Sequence, residues 1–105
     1  MENEIKLKED IKAQRIIGLA RRAGALSYGT EGSIKDLKTK KSKLIIMSSD
    51  ISEKTKKEIV FSNDDTDILF SDMTKEELGK IIGTRPTAVI SLNDSNFKKG
   101  IYRGE

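Results

Sequence analysis

Residues 43–48 read Lys-Leu-Ile-Ile-Met-Ser, an unbroken apolar run too short for an ordinary helix and rich in isoleucine. A run of this kind, without the alternation of a half-exposed strand, predicts a strand buried on both faces at the centre of its sheet. Downstream, Ser49-Asp50 and Ser52-Glu53 offer helix caps, and a polar helix of roughly ten residues follows. It ends at the acidic, turn-like Asn63-Asp64-Asp65-Thr66-Asp67. Ile68-Leu69-Phe70 predicts a third strand. Thr74-Lys75-Glu76-Glu77 has the spacing of a capping box, Leu78, Ile81 and Ile82 give that helix its buried face, and Gly83 closes it. Ala88-Val89-Ile90-Ser91-Leu92 predicts the last strand, and Asn93-Asp94 opens a short terminal helix containing Phe97 and Ile101.

Upstream of the central run, a helix is expected from Thr30 to about Lys40. Its apolar residues are only Ile34 and Leu37, which places it on the domain surface with its basic side in water. Gly29-Thr30 supplies the turn and N-cap, and Leu26-Ser27-Tyr28 a brief extended stretch. Before that, Ile11, Ile16, Ile17, Ala20 and Ala23 recur on one helical face, with Asp10 as cap and Gly24 as stop. The first nine residues mix Lys and Glu without an apolar pattern and read as a short tail or an extra helical turn. Strands alternating with helices predict an α/β fold: a three-layer α/β/α sandwich with a mixed, about four-stranded sheet. One domain over residues 10–105 follows a tail at 1–9.

Composition narrows the function. The chain has no Cys and no His, which removes disulfides, thiolate nucleophiles, imidazole bases and the usual zinc ligands. A non-enzyme without metal or other cofactor is expected, since general-base catalysis most often relies on His. The formal charge of +3 and pI of about 9.1 lean toward anionic partners. No apolar run approaches the ~20 residues of a membrane span, and Met1–Asp10 lacks the apolar core of a signal peptide, so no membrane partner and a cytoplasmic location are expected.

The stretch at 29–43 joins a glycine turn and a helix N-terminus to Lys35, Lys38, Lys40, Lys41 and Lys43. Unsatisfied backbone N–H groups and the helix dipole attract phosphate or carbonyl acceptors there, and a lysine one turn along reaches the same ligand. The alternative is that Gly29 and Gly32 only permit a tight turn while the lysines solvate a surface helix. Tyr28 either stacks on a base or packs against the core. Phe61, Phe70 and Phe97 are expected in the core or at its edge. Arg15, Arg21 and Arg22 either extend a basic footprint or satisfy helix carbonyls. The run Asp64, Asp65, Asp67 lacks the further ligands of a calcium loop and reads as a solvated turn.

The order IIGLARRAGALSYGTEGSIKDLKTKKSKLIIMSSDIS and then LFSDMTKEELGKIIGTRPTAVISLND, residues 16–52 and 69–94, resembles the ribosomal protein L7Ae/L30e family. The likeness runs from about 10 to 101 and is strongest in LARRAG, G-T-x-x-x-x-K, KLIIMSSD and ELGKIIG, with the bacterial YlxQ-like branch the most similar. The resemblance implies a kink-turn RNA binder, ribosome-associated or regulatory, and a monomer. In such a complex the N-terminus of the second helix enters the major groove beside sheared G·A pairs, while a loop after the fourth helix covers bulged nucleotides. An ordinary A-form major groove is too deep and narrow to read, and a kink opens it. Gly29, Thr30 and Lys35 match the family pattern of turn, backbone contact and guanine contact, and Lys38 extends it. Glu31 stands where archaeal relatives have Asn, and Gly32 where they have Glu, so a bidentate contact is missing or displaced. The second loop, Thr84-Arg85-Pro86-Thr87, lacks the archaeal aliphatic residues and offers Arg85 for phosphate instead. The competing expectation is a protein-interaction module on the same fold that has lost specific RNA binding.

Overall fold

In the computed structural model, which describes residues 2–103, the chain runs β1 (Glu2–Ile5), a 3-10 turn (Leu7–Glu9), α1 (Ile11–Arg22), β2 (Leu26–Tyr28), α2 (Thr30–Lys38), β3 (Leu44–Met47), α3 (Glu53–Ser62), β4 (Asp67–Ser71), α4 (Lys75–Ile82), β5 (Val89–Leu92) and α5 (Ser95–Arg103). The apolar run at 44–47 is the middle strand of a five-stranded sheet ordered β1-β4-β3-β5-β2, and all four of its residues are buried. β3 runs parallel to β4 and antiparallel to β5, and β1 extends the parallel side while β2 extends the antiparallel side.

The pleat of β3 explains the three layers. Leu44 and Ile46 point to one core, shared with Ile17 and Ala20 of α1, Leu78 and Ile82 of α4 and Ile101 of α5. Ile45 and Met47 point to the other, beneath Leu37 of α2 and Ile59 of α3. Each fully buried Leu or Ile contributes about 1.5–3 kcal/mol, so this strand holds the domain from both sides.

Helix ends follow their local chemistry. The Asp10 side chain accepts from the Ala13 N–H at 2.9 Å, and the Ser52 hydroxyl accepts from the Thr55 N–H at 3.1 Å. The capping box at Thr74 is complete: the Thr74 N–H donates to Glu77 Oε1 at 2.9 Å and the Glu77 N–H to Thr74 Oγ1 at 3.3 Å. Gly83 follows in the left-handed conformation.

Four expectations need correction. Residues 2–5 are not a tail but a fifth strand, because parallel backbone pairing with β4 requires no apolar side chains at a sheet edge. The second helix ends at Lys38, and Lys40 turns left-handed (φ 63°), its Nζ 2.8 Å from Asp64. Ile11 is 54% exposed and Ala23, at the end of α1, is also exposed, whereas Ala13 takes the inner position. Phe61, expected at the core, is 92% exposed at the end of α3; Phe70 and Phe97 do pack at core edges.

Beyond the burial of Ile101 and Phe97, the C-terminal helix is tied to the start of β4 through Asp67. The Tyr102 hydroxyl donates to Asp67 Oδ2 at 2.8 Å, and Lys98 Nζ lies 3.4 Å from the same oxygen. Partial burial, followed by the neighbouring Asp67 carboxylate, pushes the phenol from 10.0 up to about 12. A raised folded-state pKa stabilises the fold fully below the unfolded value and loses that contribution as pH rises through the folded one. We therefore expect a stability loss across about pH 10–12 that is reduced in Tyr102→Phe, read from thermal midpoints of both proteins over that range. Parallel curves would mean that lysine titration alone governs alkaline unfolding.

Candidate nucleic-acid interface

The expected site residues fall on two segments that meet at the sheet edge where β2 ends and β5 begins. Gly29, with φ 85° and ψ 166°, turns the chain out of β2 and caps α2 without a side chain. Its N–H donates to Val89 O at 2.9 Å and to Thr87 Oγ1 at 3.1 Å, and the Thr87 hydroxyl in turn donates to Val89 O at 3.0 Å. Thr87 is buried, so it fastens the loop 84–87 to the start of α2 and has no surface left for a ligand. That role was not legible in the sequence, because the two residues are 58 positions apart.

The second loop is shaped by α4. The Thr84 N–H donates to Gly79 O at 2.8 Å and the Thr87 N–H to Lys75 O at 3.0 Å, so the loop runs back along the helix from its end to its beginning. Midway it passes over Gly79, where a Cβ would lie only 2.5 Å from Arg85 O. Held this way, Arg85 and Pro86 are exposed and Thr84 is half-buried.

On α2, Glu31, Lys35 and Lys38 share an outward face with Thr39 around a shallow depression of about 430 Å³ floored by Ile34. Thr30 and Gly32 are half-buried at the first turn. A Cβ at Gly32 would meet only Ser27 Cβ, at 3.7 Å, an ordinary van der Waals contact. The remaining lysines separate from this group. Lys40, Lys41 and Lys43 lie past the other end of a nine-residue helix roughly 13 Å long. Lys40 is further committed to Asp64: the hydrogen bond between them favours both ionised forms, raising the Lys40 pKa and lowering that of Asp64.

The other acidic residue of the 63–67 turn that has a partner is Asp67, whose pKa is lowered first by the Tyr102 hydroxyl. Among the described residues no group of three or more His, Cys, Asp or Glu side chains is placed to hold a metal ion, and no helix is long and apolar enough to cross a membrane.

Tyr28 is not buried in the core. The residue is 40% exposed next to Gly29, and the Arg21 guanidinium sits 5.1 Å from its ring centroid, a cation–π pair that joins the end of α1 to the end of β2. Arg15 and Arg22 stay exposed on α1. A polar layer under α2 was also missed: the Ser91 hydroxyl is hydrogen-bonded to Ser42 Oγ at 2.8 Å and Asn93 Oδ1 at 2.9 Å, and Asn93 Nδ2 donates to Ser27 Oγ at 3.4 Å. Ser33 and Asp36 are buried on the same side of α2 as Leu37. The signal was the i, i+3, i+4 spacing of these three, obscured because two of them are polar.

The chain is 35% identical over 89 residues to the RNA-binding protein YlxQ of Enterococcus faecium, a match covering 84% of this chain and 85% of that one. A Bacillus halodurans structure described as a protein with unknown function superposes with a TM-score of 0.76 at 26% identity, covering 89% of this chain and 95% of that one. The Giardia lamblia 15.5kD RNA binding protein shares the fold, with a TM-score of 0.71 at 16% identity over 90% of this chain and 82% of that one. The model of the ribosomal protein L7Ae/L30e/S12e/Gadd45 family matches residues 11–101, which takes in both segments and every strand but β1, and the chain belongs to that family.

Proposed function

We propose that this chain is a noncatalytic RNA-binding protein that recognises structured RNA of the kink-turn type, ribosomal or regulatory, in the cytoplasm. The observation that carries the reading is the Gly29–Thr87 hydrogen bond, which fastens the α2 N-terminus and the loop 84–87 together as one surface. A surface of two fixed segments suits an RNA whose bend presents an opened groove and a bulge together. The backbone N–H groups at the start of α2 face acceptors, Lys35 and Lys38 line the flank, and Arg85 meets phosphate from the other side. The family membership and the printed name of the Enterococcus faecium relative support the same partner class.

The test is titration with a short kink-turn RNA and with a matched duplex in which Watson–Crick pairs replace the G·A pairs, at one fixed salt. Lys35 sits one turn into α2, nearest the Gly29–Thr30 backbone, so Lys35→Ala should lose on the order of 1–3 kcal/mol against the kink-turn and narrow its preference over duplex. Lys41→Ala, beyond the far end of the helix, should weaken both RNAs alike and slightly. Because a Cβ is tolerated at Gly32, the pair Glu31→Asn and Gly32→Glu, which restores the polar contacts of the family pattern, should tighten kink-turn binding. Equal losses for Lys35, Lys38 and Lys41 would leave only a nonspecific basic face, and the kink-turn reading would fall.

A further inference from the structure

Helix α1 is apolar on two sides. Ala13, Ile17 and Ala20 face the core, while Ile11 and Leu19, 54% and 50% exposed, form a second stripe left uncovered among the described residues. Arg15, Gly18 and Arg22 fall on the same stripe, four, seven and eleven residues after Ile11. Ile81 of α4 stands opposite, and together they line a groove of about 550 Å³. Gly18 keeps its floor open, since the nearest atom to a Cβ there would be Ile81 O at 3.5 Å and no side chain divides the groove. The groove lies across the sheet from α2, remote in the layer order from the lysines of the RNA reading.

The charge of the lining selects the occupant. Both ionisable residues that line it, Arg15 and Arg22, are cationic, and the first turn of α1 carries no acidic residue. A second copy docked here in a two-fold contact would set arginine against arginine. Nucleic acid would find aliphatic walls with no aromatic ring to stack on. An amphipathic helix with an apolar edge and flanking carboxylates matches every feature: its edge fills the space between Leu19, Ile11 and Ile81, and its acids meet the two guanidiniums. Ile11 to Leu19 spans roughly 12 Å, the length of two helical turns. We infer that the α1/α4 groove is a docking site for an acidic amphipathic helix of a protein partner.

The experiment uses a labelled, helix-stapled peptide with leucines along one edge and glutamates on both flanks. One control peptide carries lysine for each glutamate, and another has a scrambled order. Binding to the full chain is followed by fluorescence anisotropy and by amide shift changes. The acidic peptide should bind saturably and about tenfold more tightly than either control, with shifts centred on α1 and α4. Leu19→Gln should weaken it about fivefold, and Arg15→Glu with Arg22→Glu should reverse the preference to the lysine peptide. Lys35→Ala should leave it unchanged. These side chains are exposed, and circular dichroism checks that each variant folds. Equal binding of the scrambled peptide would overturn the assignment, as would shifts confined to other elements. Dimerisation abolished by Leu19→Gln would give the groove to a second copy, and RNA affinity lost in the arginine double variant without peptide binding would give it to nucleic acid; either result rejects the inference.

Discussion

Gly79→Ala should both destabilise the domain and cost it about tenfold or more in RNA affinity, although alanine is the better helix former by about 1 kcal/mol. The added methyl would lie 2.5 Å from Arg85 O, 2.9 Å from Arg85 C and 3.0 Å from Thr84 O, all backbone atoms of the loop 84–87. Backbone cannot rotate aside as a side-chain tip does, so the loop must lift. Overpacking of this kind costs about 1–3 kcal/mol, which exceeds the propensity gain. Lifting also strains the Thr87 N–H bond to Lys75 O and, through Thr87, the bond to Gly29. Gly18→Ala is the matched control, because its Cβ meets nothing nearer than 3.5 Å and only the propensity term remains. Thermal unfolding should move the two variants in opposite directions. If Gly79→Ala behaves like Gly18→Ala, the loop is not held against α4 as described.

The second large effect is expected at Gly29. Its φ of 85° with ψ of 166° lies in a region open almost only to glycine, whereas Gly83, at φ 73° and ψ 38°, is in the left-handed helical region that asparagine also enters. Gly83→Asn should therefore cost little. Gly29→Asn should cost about 1–3 kcal/mol, or relax by rotating the turn and releasing its N–H from Val89 O and Thr87 Oγ1. Either way the first turn of α2 shifts from the loop 84–87, and RNA binding should fall with stability. Denaturation curves and RNA titrations of the two asparagine variants distinguish them, and equal behaviour would show that the Gly29 conformation is not required.

Elements with strong local signals were legible in the sequence. The run at 44–47 is buried on both faces as expected, and the Thr74 box, the Gly83 stop and the Asp10 cap depend on residues within a few positions of one another. β1 was not legible because Ile5 is its one apolar residue and its pairing is made by backbone alone. Ile11 and Phe61 show the opposite failure. Apolar character says that a residue gains by burial, while whether anything lies over it depends on tertiary placement. The candidate site divides the same way. Glycine turn, helix start and lysine one turn later form a local pattern, whereas the hydroxyl that joins the two segments, and the loss of Lys40 to Asp64, are contacts between distant parts of the chain.

The sheet order carries a consequence for how the molecule assembles. β1 pairs with β4, and β2 pairs with β5, so the first and second strands each wait for a partner made after β3. β3 and β4, by contrast, are joined through α3 alone and share four register pairs. Closing a long loop is entropically costlier than closing a short one, so the β3–α3–β4 unit is expected to form first. On a ribosome, the segment carrying the α2 lysines would emerge before the strand that fixes its turn is made. The turn at Gly29 is thus fixed only after β5 is made, and pulse-labelled hydrogen exchange during refolding should find the amides of β3 protected before those of β2.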